Sequence, residues 1–213
     1  GRAAASILES KQLIGQVVDL IRARFNLYYV GLFMVDALGE YAVLQAGTGE
    51  AGATMLARNH RIRVGQGMIG WSIANKHPRI ALEAGEDAVR LVTDVLPLTR
   101  SEAALPLISR GRVLGALTVQ SDQPGVFTSD TIAVLQTMAD QVALALDNAR
   151  LFTESEEALA SLRRSYGELS RKSWADVLRT HQVRGYRLDQ RGVHPLVEAE
   201  ASPEAESGGV LVK

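Results

Sequence analysis

Cysteine is missing from all 213 residues. That one absence removes disulfides, thiolate metal sites, thioether-linked chromophores and thiol redox chemistry. It fits a reducing compartment, and a cytoplasmic location is the expectation. There is no excess of either charge sign: 23 Lys+Arg against 24 Asp+Glu give a formal net charge of −1. Nucleic-acid binding through a basic surface is therefore not expected. No apolar run approaches the roughly 20 residues that span a bilayer, and the N-terminus lacks the layout of a signal peptide. No membrane contact is expected within this segment. The first residue is glycine rather than methionine. The expectation is a piece of a longer chain, which leaves an anchor elsewhere open. No internal repeat is visible. No nucleophile, base and orienting group fall into a known pattern, so no catalytic residue is assigned; together with the family resemblance described below, the expectation is that the chain is not an enzyme.

What is present is ordinary globular composition, with 46% hydrophobic and 22% charged residues. "ASILESKQLIGQVVDLIRARF" pairs its apolar residues at helical spacing. "YYVGLFMVD" is apolar at nearly every position, as in a strand covered on both faces. After the turn "ALGE" comes the return strand "YAVLQAGT". A short helix, "GEAGATMLARNH", and a brief strand, "HRIRV", follow. "GQGMIGWSIANKHP" starts on glycines and runs as a short helix up to Pro78, and "RIAL" is a short strand. The polar stretch from Glu83 to Arg100 reads as a long loop, a type that often carries function. Ala103–Ser109 and Val113–Gln120 form a hairpin, and Gly111 supplies the positive φ of its two-residue turn.

No proline interrupts the chain between Pro124 and Pro195. With Thr128 or Ser129 as N-cap and Asp130 in the first turn, a long helix begins there. Its first apolar stripe is Ile132, Leu135, Met138, Val142, Leu146 and Ala149. Leu159, Leu162, Tyr166 and Leu169 then fall at spacings of three, four and three, a short coiled-coil seam. At 1.5 Å per residue this helix would exceed roughly 55 Å, so its second half is expected to project from the domain. "GYRLDQRGVHPLVEAE" reads as a second hairpin, and "ASPEAESGG" as linker.

This order of elements is an α+β plan. "RVGQGMIGWSIANKHPRIAL", "LPLTRSEAALPLISRGRVLGALTVQSDQPGVFTSD" and "VLQTMADQVALALDNARLF" resemble a GAF domain of bacterial multi-domain sensor proteins. The resemblance covers about Leu13 to Phe152. It implies a predominantly antiparallel six-stranded sheet flanked by helices, with a small-molecule pocket under the middle crossover and dimerisation through the terminal helices. The expected division is 1–12 as the N-terminal end of a linker helix, 13–152 as the GAF domain, 153–180 as a projecting signalling or coiled-coil helix and, beyond the resemblance, 181–213 as a candidate hairpin and flexible tail. The expected function is a sensory or regulatory module that binds a small molecule and relays through dimeric helices to an output domain. The alternative is a dimerisation and spacer module with a filled pocket.

Several of the family's activities do not match these residues. The cyclic-nucleotide pattern keeps Phe127 but lacks the Asn-Lys and Asp-Glu pairs, since Ser121-Asp122 and Asp130-Thr131 stand in their places. Bilin attachment and sulfoxide reduction, as the family performs them, need cysteine. His60 and His77 read as solvated loop histidines rather than haem ligands, so no cofactor is expected. Asp87, Asp94 and Glu83 share a loop but show no metal spacing, and no metal site is assigned. Gly65, Gly67 and Gly70 mimic a phosphate loop, yet no lysine follows, and they read as glycines of a tight turn into a helix.

The ligand-contact candidates are Trp71, Asp94, Arg100, Glu102 and Phe33. Trp71 either stacks on a planar ligand or fills core. Arg100 and Glu102 either bind a ligand or hold the loop through its backbone or Asp94. Phe33 faces the pocket or the helices, a choice that parity leaves open in a strand apolar on both faces. The dimer contacts are Leu159, Leu162, Tyr166 and Leu169.

Overall fold

The computed structural model describes residues 2–83, 93–180, 183–189 and 192–197. The elements are α1 (Arg2–Phe25), β1 (Tyr29–Val35), β2 (Tyr41–Gly47), α2 (Gly49–Ala57), β3 (Arg61–Arg63), α3 (Gly67–Asn75), β4 (Arg79–Ala81), β5 (Ser101–Ser109), β6 (Arg112–Ser121), α4 (Ser129–Thr180), β7 (Val183–Asp189) and β8 (Gly192–Val197). The first six strands form one antiparallel sheet in the order β3-β2-β1-β6-β5-β4. The chain falls into two units, residues 1–154 and 155–213.

Strands β1, β5 and β6 are buried along most of their length. Side chains alternate between faces along a strand, so each strand feeds two cores. One face presents Val30, Leu32, Leu105, Leu117 and Val119 to Val18 and Ile21 of α1 and to Leu135, Ala139 and Ala143 of α4. The other presents Tyr29, Phe33, Ala104 and Ala116 to Met55 of α2 and to Met68, Ile69 and Ile73 of α3. Two bulges alter this parity. Gln45 is the extra residue opposite Leu32-Phe33, which leaves Leu44 on the α2–α3 face but puts Ala46 on the α1–α4 face. Leu114 is the extra residue opposite Leu107-Ile108.

The β5–β6 turn carries positive φ at both of its residues, Arg110 (50°) and Gly111 (78°), rather than at the glycine alone. Thr128 caps α4, its Oγ1 accepting a hydrogen bond from the Thr131 amide at 3.3 Å. The expected C-terminal hairpin is present as β7 and β8, paired from Val183–Val197 to Asp189–Gly192. The linker-like stretch beyond Val197 and the middle of the long loop, residues 84–92, lie outside the described residues.

Helix α2 sits unusually close to β2. A Cβ on Gly52 would lie 2.0 Å from the Gly47 carbonyl oxygen. Only a residue without a side chain fits there. Gly52→Ala should therefore cost about 1–3 kcal/mol through overpacking. Gly15→Ala in α1, where a Cβ meets nothing within 4 Å, should instead gain about 0.5–1 kcal/mol. Urea unfolding of the two variants checks the pair.

Candidate functional site

The cross-strand register builds a floor on the α2–α3 side of the sheet. Tyr29 pairs with Gln120, and Gln120 with Glu102. In the next row on the same face, Gly47, Gly31, Thr118 and Ala104 follow one another. A third row brings Phe33 beside Ala116. Gly31 and Gly47 make room above the sheet for the Tyr29 phenol. Between the sheet, α2 and α3 lies a cavity of about 420 Å3, within the usual range for small-molecule sites. Its walls are largely apolar, with Phe33, Met55, Ile62, Met68 and Ile69. Along its floor runs a buried polar strip of Glu102, Thr118 and Gln120.

Each member of that strip is held in place. The Thr118 hydroxyl donates to the Glu102 carboxylate at 3.1 Å. Thr99 lies 2.6 Å from the Gln120 side-chain oxygen, which ties the 93–99 segment to the sheet. Tyr29 is 1% exposed, and among the described residues its hydroxyl has no hydrogen-bond partner. A Cβ on either Gly31 or Gly47 would lie 2.6 Å from that hydroxyl, so the phenol rests over the glycine pair. Burial, then the negative charge of Glu102, push the Tyr29 pKa up, and the phenol stays protonated.

Of the five ligand-contact candidates, the structure brings three to this cavity: Phe33 and Glu102 in the floor and Asp94 at the rim. Trp71 and Arg100 are not among its lining residues. The half-buried Trp71 ring lies under the Arg79 guanidinium, 4.9 Å from ring centroid to carbon, so it neither fills the core nor faces the cavity. Arg100 points outward and pairs with Glu83 at 3.3 Å. Its backbone amide bonds Ser121 O at 2.7 Å. Asp94 pairs instead with Arg58 at 3.5 Å, and both are exposed. The expected Arg100–Asp94 pair is not formed. The two charges beside the hairpin thus serve different places: Glu102 faces the cavity, and Arg100, two residues earlier, latches the rim of the sheet.

His60 corrects a second expectation. It is not a solvated loop histidine but part of the cavity wall, with its ring edge-on to Phe33 at 5.9 Å. Burial lowers its pKa, which keeps the ring neutral at pH 7. His77 is exposed, its Nδ1 2.7 Å from Asn75 O. Thr118 and Gln120 had a readable signal, since two polar residues at i and i+2 in an apolar strand share one face. Gly65 and Gly67 have positive φ, and a Cβ on Gly70 would meet Arg63 O at 2.3 Å, as a tight turn into α3 requires. Among the described residues no group of His, Asp and Glu is placed to hold a metal ion. No described helix is long and apolar enough to cross a membrane.

Behind the cavity floor, the β5–β6 turn is fastened to α4. Asp147 is 4% exposed. It accepts hydrogen bonds from Ser109 Oγ at 3.0 Å and Arg150 at 3.2 Å, with Arg110 at 3.4 Å. Burial opposes its ionisation, but the Ser109 and Arg150 hydrogen bonds and the two arginine charges outweigh it and hold its pKa low.

Against known proteins, the family profile described as "GAF domain" matches residues 8–147. The chain therefore belongs to the GAF family, whose members commonly act as sensory or regulatory modules. It is 28% identical over 114 residues to GAF domain-containing protein A of Dictyostelium discoideum, a match that covers 54% of this chain and 66% of that protein. The GAF domain of a phosphoenolpyruvate-protein phosphotransferase from Coxiella burnetii superposes with a TM-score of 0.60 at 22% identity, over 68% of this chain and 86% of that one. The free methionine-R-sulfoxide reductase of Neisseria meningitidis, solved with its substrate, gives a TM-score of 0.58 at 21% identity, over 67% and 80%. That neighbour overturns the expectation that the chain is not an enzyme, because enzymes are built on this same fold. Cysteine is absent here, so any chemistry in the cavity would proceed without a thiolate.

Two outcomes follow from this geometry. Tyr29→Phe removes a buried hydroxyl that has no partner and should leave the protein unchanged or more stable, by up to about 1 kcal/mol in urea unfolding. The Asp147 carboxyl has a lower pKa in the native than in the unfolded chain. Its contribution is complete above the ordinary carboxylate range and is lost as pH falls through the native value. Asp147→Asn should lower the urea midpoint at neutral pH and flatten its fall towards acid.

Proposed function

We propose that this GAF domain is a sensory or regulatory module that binds a small molecule in the cavity between the sheet and α2–α3, and relays the bound state through α4 in a homodimer. One observation carries the reading: an open cavity of about 420 Å3 whose floor holds a buried polar strip, Glu102, Thr118 and Gln120, among apolar walls. A polar strip beside apolar walls suits a molecule with an apolar body and one polar edge. The alternative, a spacer with a filled pocket, requires side chains to close this volume.

The relay runs through the sheet itself. Strands β5 and β6 carry the polar strip on one face and pack against α4 on the other. Their turn is fastened to α4 at Asp147. A ligand that fits one setting of the strands better than another shifts α4 by that difference in affinity. The dimer contact is the seam of Leu159, Leu162, Tyr166 and Leu169, all exposed in the single chain. Its setting, a cytoplasmic multi-domain sensor of bacterial type with an output domain, rests on the resemblance of the sequence motifs.

Native mass spectrometry of the full chain tests both halves. The expected spectrum is a dimer carrying a small-molecule adduct from the expression host. Ile62→Trp, which adds bulk to the cavity wall, should remove the adduct and leave the dimer. Replacing Leu159, Leu162 and Leu169 together with Glu should give a monomer at about 20 micromolar, where a Kd near 1 micromolar would keep the parent dimeric. A parent that sediments as a monomer at that concentration refutes the dimer. A parent with no adduct refutes ligand retention.

A further inference from the structure

The seam of α4 raises a question that the dimer reading leaves unanswered: which way do the two helices run? From Ser155 to Asp176 every residue is exposed. At the seam positions the residues are Ser155, Leu159, Leu162, Tyr166, Leu169 and Ser173, spaced alternately four and three apart. Charge is segregated along the same stretch. Glu154, Glu156 and Glu157 come first, and Arg163, Arg164, Arg171 and Lys172 come later, with Glu168 the one acid among them.

We propose that α4 self-associates antiparallel, centred between Ala160 and Ser161. This rests on the dimer reading above and adds its direction. Two independent features favour it. The first is volume. In a parallel pair each seam residue meets its own copy, so Ser155 would face serine and leave a gap, while Tyr166 would crowd against tyrosine. In the antiparallel pair Ser155 faces the partner's Tyr166, Leu159 faces the partner's Leu162, and Leu169 faces the partner's Phe152. Large meets small, and the layers even out.

The second feature is charge. Glu156 and Arg163 flank the seam at equivalent heptad positions, and neither makes an ion pair within its own chain among the described residues. Antiparallel pairing sets such positions opposite each other, and Glu156 then meets the partner's Arg163 twice by symmetry. A parallel pair instead sets Arg163 beside the partner's Ala158, and Glu156 beside the partner's Leu151, with no pair formed. Complementary flanking charge is what selects orientation in such helices.

The lack of cysteine makes the test direct, because any introduced thiol is the only one present. Ser173→Cys is exposed and lies at a seam position. In a parallel dimer, with axes about 8–10 Å apart and Cα atoms about 2.3 Å from each axis, the two facing seam Cα atoms would lie within about 6 Å and the thiols would oxidise to a disulfide. In the antiparallel dimer Ser173 faces the partner's Asn148. The 25 residues from 148 to 173 then separate the two copies of Ser173 by about 38 Å along the axis. Spin labels at Ser173→Cys should read a distance near that value, and oxidation should leave the chains unlinked. Mixed Ser155→Cys and Tyr166→Cys variants should give a cross-linked band that neither gives alone. Disulfide formation by Ser173→Cys within a dimer would overturn the orientation while leaving the dimer standing. A monomer by sedimentation at about 20 micromolar would overturn the dimer itself and the orientation with it.

Discussion

The three central strands of the six-stranded sheet, β1, β6 and β5, are covered on both sides, and the rest of the domain follows from that constraint. A side chain on such a strand has no solvent face to choose. It enters either the core under α1 and α4 or the space under α2 and α3. On the first side the rows are branched and large, with Val30, Leu32, Leu105, Leu117 and Val119, and they pack solid. On the second side Phe33, Glu102, Thr118 and Gln120 line the cavity, and the Tyr29 phenol lies over Gly31 and Gly47. The site is thus built on one face of three strands rather than on a separate motif.

The same constraint links the site to the long helix. The cavity floor and the α4 contact are opposite faces of one pair of strands, about one side chain thick. Anything that moves β5 or β6 is felt on both sides, because close-packed interiors pass displacement on rather than absorb it. Asp147 strengthens the link at the hairpin tip, where a buried carboxylate must keep its Ser109 and arginine partners.

Much of this was readable from the residues alone. The helices, the strands and the β5–β6 turn follow from apolar period, glycine and proline placement, and capping residues. Glu102, Asp94 and Phe33 were candidates, and all three line the cavity. Trp71 and Arg100 were candidates as well, and they sit outside the cavity lining. Arg100 lies just before β5, and Trp71 sits midway along the short helix α3; in both places the direction of the side chain depends on how neighbouring elements pack, and nothing in the local pattern sets it. His60 had the opposite fate. A histidine between arginines reads as solvated, yet the loop after α2 turns back under β2 and folds it against Phe33.

The amino-acid sequence by itself determined which segments become helix and strand, that the first strand is buried on both faces, that no thiol chemistry is available, and that the last helix carries an apolar seam. These depend on local spacing and composition, which act within a few residues. Tertiary structure alone decided that Tyr29, Gln120 and Glu102 share one row, that Arg100 pairs with Glu83, and that Asp147 holds the hairpin turn. Each of these joins residues far apart in the chain, and only strand register and helix docking bring such residues together. A shift of one residue in strand register would send Tyr29, Gln120 or Glu102 to the opposite face of the sheet.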